Sequence, residues 1–393
     1  MASVHINFTA HINDADKNQI VYKITHQRNC VTIATGIVIP NIEHKSTISP
    51  INLLPKDVRR IVQSDIERIS NIITNLEIHQ KSYTAADIAS EFEQYLYDFT
   101  LCRYTTQIIE SLKRRGKIRT SETYNAALRS FMKYRRGKDL HLRLMTNDII
   151  EDYEAFLQRR GLVANSTSFY MRILRAIYNR AVDEHIIEQC SPFKRVYTGV
   201  GATVKRALPL QTIKALKNLD LPPMSALAYA RDIFLLSFYL RGMSLIDMAF
   251  LKRTDLHGDF IYYRRRKTGQ LLTIKWTLEM EKLSKRYNCP ENMFLLPILS
   301  PKNIDHRSAY RNASYNINRN LKIIARMLGL KTTLTLYCAR HSWASVAKAE
   351  GVPLTIISQG MGHQSESTTR IYLASLDTSA VDRANHEIIR LLN

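Results

Sequence analysis

Glycines punctuate the middle of the chain at intervals that only helices explain. Between Thr84 and Cys190 the apolar residues recur at helical spacing, and successive runs stop at Gly116, Gly137 and Gly161. Glycine costs about 1 kcal/mol relative to alanine inside a helix, yet it is favoured just past a helix end. Thr84 and Thr146 stand where N-caps are needed, and Asp148 and Glu151 suit the first turn after Thr146. The spacing predicts four or five helices. One covers Ala85–Tyr97, and another runs on to about Arg115. A third starts at Thr120 or Ser121 and a fourth follows Thr146. The last opens at Asn165 or Ser166, with Phe169, Ile173, Ile177 and Val182 as its core face.

The flanking regions read differently. Before the helices, His5–Ala10, Gln19–His26 and Val31–Ile39 are rich in Ile, Val, Thr and Tyr, with a polar turn over Asn13–Asn18. A three-stranded antiparallel sheet is expected. A helix then opens at Pro55, with Val58, Ile61, Val62, Ile66 and Ile69 along one face. After a basic linker over 191–206, helices are expected from Gln211, over Ser225–Leu240, over Leu245–Leu251 behind Ser244, and over Asn312–Leu328. Further helices are expected after Thr335, over Pro353–Gln359, behind Ser365, and over the terminal Val381–Leu392. Two short strands flank Lys267-Thr268-Gly269-Gln270, the pattern of a hairpin.

Charge narrows the class of partner. The 393 residues carry a formal net charge of +21, with a pI of about 9.8. Residues 1–100 are net −2, residues 101–200 net +9, and the remainder net +14. A polyanion partner, double-stranded DNA above all, is expected to lie on the last three quarters. Two basic patches stand out in the helical middle, Lys113-Arg114-Arg115 and Arg129, Lys133, Arg135 and Arg136, with Arg172 and Arg175 on the final helix. Such side chains hold phosphates and carry no sequence preference. Five scattered cysteines, an odd number, argue against a disulfide framework or zinc knuckle and for a reducing cytoplasm. No apolar run is long enough to span a membrane. No phosphate-cradling glycine loop and no clustered carboxylates are present, so neither nucleotide nor metal cofactor is expected.

The chemistry concentrates near the C-terminus. LTLYCARHSWAS (334–345) and GMGHQSESTTRIYLASLD (360–377) contain Arg340, His341, His363 and Tyr372. A permanent cation and an imidazole suit a phosphate, and a nearby tyrosine can attack one. Arg241 stands at a helix end beside a tight turn, and Lys267 at a hairpin tip from which it can protonate a leaving oxygen.

Four ordered segments, YLRGMSLIDMAFLKRTDL, RRRKTG, ARHSWAS and MGHQSESTTRIY, resemble the catalytic domain of the tyrosine recombinase (phage integrase) family. The helical middle is similar to that family's SAM-like core-binding domain. The first ninety residues resemble the N-terminal domain of integrases from conjugative transposons and phages. The implied fold class is multidomain and mainly α. A small N-terminal sheet plus helix (1–90) precedes a SAM-like helical domain (91–190), a linker (191–206) and an α+β catalytic domain (207–393). Carried onto this sequence, the resemblance makes Arg241 and Arg340 the arginines on the scissile phosphate and Lys267 the general acid. His363 becomes the second active-site histidine, and Tyr372 the nucleophile. It implies a site-specific DNA recombinase of a mobile element, acting through a 3′-phosphotyrosyl intermediate and a Holliday junction. It further implies a tetramer on DNA, an accessory directionality factor and a place at the bacterial nucleoid. An inactive DNA-binding regulator of the same fold and a type IB topoisomerase are the rival readings.

Two positions depart from the family pattern. Tyr337 occupies the place, three before Arg340, where a histidine is usual, so the acceptor of the Tyr372 proton is open. His341 is adjacent, but its place on the helix is expected to point it elsewhere. The acidic residue usual three after the first arginine is here six after it, Asp247.

Overall fold

A computed structural model describes residues 2–11, 14–40, 50–79, 82–201, 206–287, 292–299 and 305–374. The chain divides into two compact units, Met1–Gly201 and Ala202–Asn393. It is mainly helical, with two small sheets. No helix among the described residues is long and apolar enough to cross a membrane.

The first unit opens with β1 (Ser3–His11), β2 (Asp14–His26) and β3 (Asn29–Pro40), an antiparallel sheet in sequence order. The second strand reaches back to Asp14, into the stretch expected to turn, and the first pair slips register between Ala10 and His11. Alternation along β2 and β3 puts Ile20, Tyr22, Ile24, Ile33, Ile37 and Ile39 on one buried face. Two helices cover that face, α1 (Lys56–Ile78) through Val62 and Ile69, and α2 (Ala85–Asp98) through Ile88 and Phe92. Pro55 is the N-cap of α1 and not its first residue. Thr84 caps α2 in a full capping box with Asp87.

The unit continues with α3 (Leu101–Arg114), α4 (Ile118–Tyr134), α5 (Asn147–Arg159) and α6 (Ala164–Asp183). Thr146 caps α5, and Gly116, Gly137 and Gly161 all take positive φ at the helix ends. The buried face of α6 runs through Met171, Leu174, Ile177, Tyr178 and Ala181. Phe169, Ile173 and Val182, expected on the core face, are only partly buried. The helix begins one or two residues earlier than expected, and its buried stripe is shifted onto Met171 and Leu174, which share one core with residues of α4 and α5. Residues 191–201 fold back on α5 and α6. Asn165 pairs with the Gly201 backbone in both directions, and Tyr197 N–H donates to Glu154 Oε1 at 3.2 Å. Residues 202–205, the remainder of the expected linker apart from Arg206, lie outside the described residues.

One buried ion pair ties the sheet and its helices to the four-helix part. Arg143, in a short turn after α4, meets Asp65 of α1 at 2.8 Å, with side chains 6% and 2% exposed. Tyr22 donates to the same carboxylate at 2.6 Å, and Arg143 Nη2 donates to the Thr35 carbonyl at 2.8 Å. Every charge in this knot has an opposite charge or a dipole against it, as burial requires.

The second unit is built round α8 (Ala226–Tyr239), which follows the short α7 (Leu210–Lys217). Helix α8 is apolar nearly all round and buried at Ala228, Ala230, Ile233, Phe234, Leu235 and Leu236. Next come α9 (Leu245–Ala249) and a three-stranded antiparallel sheet of β4 (Leu256–His257), β5 (Phe260–Arg264) and β6 (Leu271–Lys275). Helices α10 (Leu278–Arg286), α11 (His306–Met327), α12 (Tyr337–Ala349), α13 (Leu354–Met361) and α14 (Glu366–Ala374) complete it. Helix α11 begins six residues before the expected Asn312, because Asp305 caps it. The expected helix over 381–392, and Cys289, lie outside the described residues.

Candidate active site

Three chain reversals bring the chemical groups together. The first follows α8, where Arg241 (φ 57°) and Gly242 (φ 72°) take the left-handed conformation in succession. The Gly242 N–H closes on Ser237 O at 2.8 Å, ending the helix. No other residue fits at 242: a Cβ there would lie 2.6 Å from the Cα of Arg340. Arg241 reaches across to β6, where Nη1 donates to Thr273 O at 3.3 Å. It lines a cleft of about 560 Å³ with Gln270, Thr273, Trp343 and Gly360.

The second reversal is the turn between β5 and β6, closed by Arg265 N–H to Gln270 O at 2.8 Å and by Gly269 at φ 72°. Buried Asp247 of α9 anchors it, accepting from the Arg266 N–H at 2.9 Å and from Ser244 Oγ at 2.6 Å. The acid displaced from its usual spacing thus holds the hairpin that carries Lys267. Lys267 is exposed, and its charge reaches His363. Arg265 turns inward and donates to Gly362 O at 2.6 Å.

The third is the left-handed Gly362, which ends α13 and aims His363 back at α12. A Cβ at 362 would lie 2.7 Å from Leu272 Cδ1, so glycine also lets β6 close on the turn.

These reversals converge on Arg340, which is 3% exposed. Its Nη1 donates to Gly242 O at 3.0 Å, and Nη2 donates to Met361 O at 2.7 Å. Nη2 also lies 3.1 Å from His363 Nε2. A guanidinium only donates, so Nε2 accepts and the His363 proton sits on Nδ1, which donates to Thr369 Oγ1 at 2.7 Å. Burial, with Arg340, Arg265 and Lys267 around it, holds His363 down to about 4, so it is neutral at physiological pH. Arg340 Nε is buried with no partner, and among the described residues no carboxylate pairs with this cation. Burial and the neighbouring Arg265 both disfavour its charge. A buried cation with a spare donor, no carboxylate against it and a second cation beside it is a setting that suits an anion. A cleft of about 360 Å³ opens beside it, lined by Gly242, Ser314, Asn318, Thr335 and Tyr337 among others.

Tyr372, half-buried on α14, closes the group. Its hydroxyl is in hydrogen-bond contact with Nδ1 of His341, and the two rings stack with centroids 5.2 Å apart. His363 stands edge-on to the same phenol at 5.8 Å. Burial and the phenol of Tyr337 push the Tyr372 hydroxyl up, while Arg340 pulls it down. Tyr337 is 51% exposed, with its ring edge-on to His341 at 4.8 Å.

The structure therefore brings Arg340, His363 and Tyr372 into one cluster, with the Lys267 charge in reach and Tyr337 at its rim. Arg241 lies on a neighbouring cleft. Its charge, with those of Arg340 and Arg265, is felt at Tyr263. One expectation is overturned: His341 points at Tyr372 and not away from it. Positions 337 and 341 are one helical turn apart, so both side chains share the face that α14 meets. Arg265 was passed over as one of a run of basic residues; the signal was its place at the turn edge, two before Lys267.

In the first unit Lys113, Arg114, Arg115, Arg129, Lys133, Arg136 and Arg172 are exposed, at or near the ends of α3 and α4 and on α6. Arg135 and Arg175 are half-buried, and Arg175 donates to Thr198 Oγ1 at 2.7 Å.

Known proteins resemble this chain in sequence and fold. Residues 100–196 match the Phage integrase SAM-like domain, and residues 246–379 match the Phage integrase family. A tyrosine recombinase of Pseudothermotoga lettingae is 23% identical over 281 residues, covering 69% of this chain and 93% of that protein. A lambda integrase dimer bound to a COC' core site superposes with a TM-score of 0.55 at 17% identity, covering 70% of this chain and 95% of that one. The Tn1549 transposon integrase in complex with transposon right end DNA gives 0.54 at 15% identity, covering 75% of this chain and all of that one. Matched in both its helical and its catalytic regions, which together make up more than half of its length, the chain belongs to the phage integrase family of tyrosine recombinases, an enzyme class of site-specific DNA recombinases.

Proposed function

We propose that this recombinase integrates and excises a mobile element by cutting and rejoining DNA through a phosphotyrosine at Tyr372. The observation that carries the reading is the buried, carboxylate-free Arg340, its Nε unpartnered, set beside Tyr372 and His363. A phosphodiester entering there relieves the repulsion between Arg340 and Arg265. Its non-bridging oxygens take the spare guanidinium donors, and Arg241, held only by one exposed 3.3 Å bond, swings in from Thr273. The oxygen of Tyr372 attacks phosphorus, a P–O bond forms to the phenol, and the bond to the 5′ oxygen breaks. Lys267 gives the leaving oxygen its proton. A 5′-hydroxyl from a second strand reverses the step, so the bond energy is conserved without a nucleotide.

The partner is double-stranded DNA, with the exposed basic ends of α3 and α4 and the basic face of α6 on its phosphates. The lambda and Tn1549 integrases are bound to DNA in their structures, which supports this reading. Strand exchange through a Holliday junction uses a tetramer on two duplexes, with an accessory protein setting direction. A duplex nicked beside the scissile phosphate traps the intermediate: the wild type forms a covalent adduct and Tyr372→Phe forms none. An adduct with Tyr372→Phe, or none with the wild type, overturns the reading. Recombination between two short sites, and not relaxation of supercoils alone, separates it from a topoisomerase. Lys267→Ala leaves DNA affinity intact and slows adduct formation by about 10²–10⁴; an unchanged rate removes the lysine from its role.

A further inference from the structure

The remaining chemical question is where the phenol proton goes. At its ordinary pKa near 10, about one Tyr372 in a thousand would be ionised at pH 7. Burial makes that fraction smaller still. Tyr337 occupies the position where a base is usual. It is itself a phenol, the same chemical group as the one it would have to deprotonate, and it is half exposed with its ring edge turned to His341. His363 has both ring nitrogens engaged, Nε2 accepting from Arg340 and Nδ1 donating to Thr369, and three cations depress its basicity.

We infer that His341 is the catalytic base of this enzyme, taking the Tyr372 proton directly on Nδ1. The inference rests on the phosphotyrosyl reading above. The phenol hydroxyl is already in hydrogen-bond contact with Nδ1, and the rings are stacked with only 26° between their planes. The imidazole is 7% exposed, so bulk water is largely kept from competing for it. It lies on the same helix as Arg340 and next to it in sequence. Helical geometry gives both residues their places: Arg340 faces the Gly242 and Gly362 turns, and His341 faces α14.

The step balances. The Tyr372 O–H bond breaks with its proton passing to the lone pair of Nδ1, while Nε2 carries the other proton. The phenol electron pair forms the bond to phosphorus, and the P–O5′ pair leaves with a proton from Lys267. An imidazolium remains beside the phosphotyrosine. On rejoining, it returns its proton to the departing phenol, so one residue serves as base in cleavage and acid in ligation. Among the described residues, the titratable groups in contact with or near His341 include Tyr337 and Arg340 on its own helix, Tyr372 on α14, and His363 beyond the Tyr372 ring. Helix α13 carries no ionisable side chain.

The test uses the full-length protein and the nicked duplex at saturating concentration. His341→Asn keeps a hydrogen-bonding atom where Nδ1 stood but no basic one. It should lower the single-turnover rate at pH 7 by about 10²–10⁴ with unchanged DNA affinity and melting temperature. Its rate should then climb with pH where the wild type levels off. Replacing Tyr372 by the more acidic 3,5-difluorotyrosine should recover much of the lost rate. A bridging 5′-phosphorothiolate, whose sulfur leaves without a proton, should rescue Lys267→Ala and leave His341→Asn slow. A His341→Asn rate within threefold of the wild type, or rescue of that variant by the phosphorothiolate, overturns the assignment. Should the variant fail to fold, the wild type decides. The acid limb of its pH–rate profile stays fixed on fluorination of Tyr372 if an imidazole accepts the proton. A limb that moves with the phenol refutes the inference. The absence of an adduct in the wild type, by contrast, defeats the phosphotyrosyl reading itself.

Discussion

Each unit of this protein buries an arginine, and the two are treated in opposite ways. Arg143, in the first unit, meets the carboxylate of Asp65, which also receives the Tyr22 hydroxyl. Arg340, in the second, is buried at least as deeply, yet its acceptors are two backbone carbonyls and a neutral imidazole. A paired cation is structural; the attraction is spent within the protein. A cation given only dipoles keeps its charge available to the phosphate proposed above. Burial alone does not separate the two, and what sits opposite the guanidinium does.

Breaking each arginine should therefore damage different properties. Arg340→Lys retains the charge and loses the planar fork, so adduct formation should fall by up to about 10³ while DNA affinity changes little; single-turnover cleavage checks this. Arg143→Met leaves Asp65 buried and unpaired, and should destabilise the first unit by about 3–5 kcal/mol in urea titrations. Adding Asp65→Leu should recover most of that loss, as replacing a whole buried pair often does. No apolar partner replacement should restore cleavage to an Arg340 variant.

A smaller effect is expected at Gly242. A Cβ there collides with the backbone at Arg340 and is strained at φ 72°. Gly242→Ala should cost about 1–3 kcal/mol in the second unit and slow cleavage roughly tenfold by displacing Arg340; melting curves and cleavage kinetics read the two effects separately.

The finest distinction is in the response to acid, where a histidine from each unit extends the comparison. His141, buried beside Arg143, is held to about 3, and His363 to about 4, chiefly by burial in both cases. Both folded values lie below the ordinary 6.5, so the unfolded chain takes up protons first as pH falls. The stability each contributes is full above about pH 6.5 and is lost as pH drops towards 3 for His141 and towards 4 for His363. DNA bound at the anion site brings a phosphate to His363 and should raise its titration midpoint, leaving His141 unmoved. Imidazole NMR signals followed from pH 7 to 4, with and without duplex, would show this difference; equal shifts in the two histidines would break the comparison.

Local signals were legible wherever a residue acts on its own neighbourhood. Thr84 and Thr146 cap their helices, three glycines end them, and Lys267 rides a hairpin turn, as their types and spacings required. The cluster of Arg340, His363 and Tyr372 was legible as a set because the three lie within one short stretch. The partners of Asp65 and Arg143 were not, because residues 78 apart meet only once the sheet and helices have packed. The stripe of α6 was misjudged for a related reason: Phe169 and Met171 are both apolar, and only the packed neighbours decide which is buried. At His341 the expectation that the side chain points away from Tyr372 failed, because which neighbour covers that helix face depends on where α14 returns.

The contact between Gly242 and Arg340 has a consequence for how this enzyme can vary. Residue 242 follows Arg241 directly; its carbonyl accepts from Arg340 Nη1 at 3.0 Å, and a Cβ on it would lie 2.6 Å from the Arg340 Cα. The main-chain positions of the two arginines are thus gauged by a single joint with no side chain in it to trim or enlarge. Neither can drift without carrying the other, so substitutions elsewhere should leave the spacing of these two main-chain positions constant. Redesign of this enzyme should leave residues 240–243 alone.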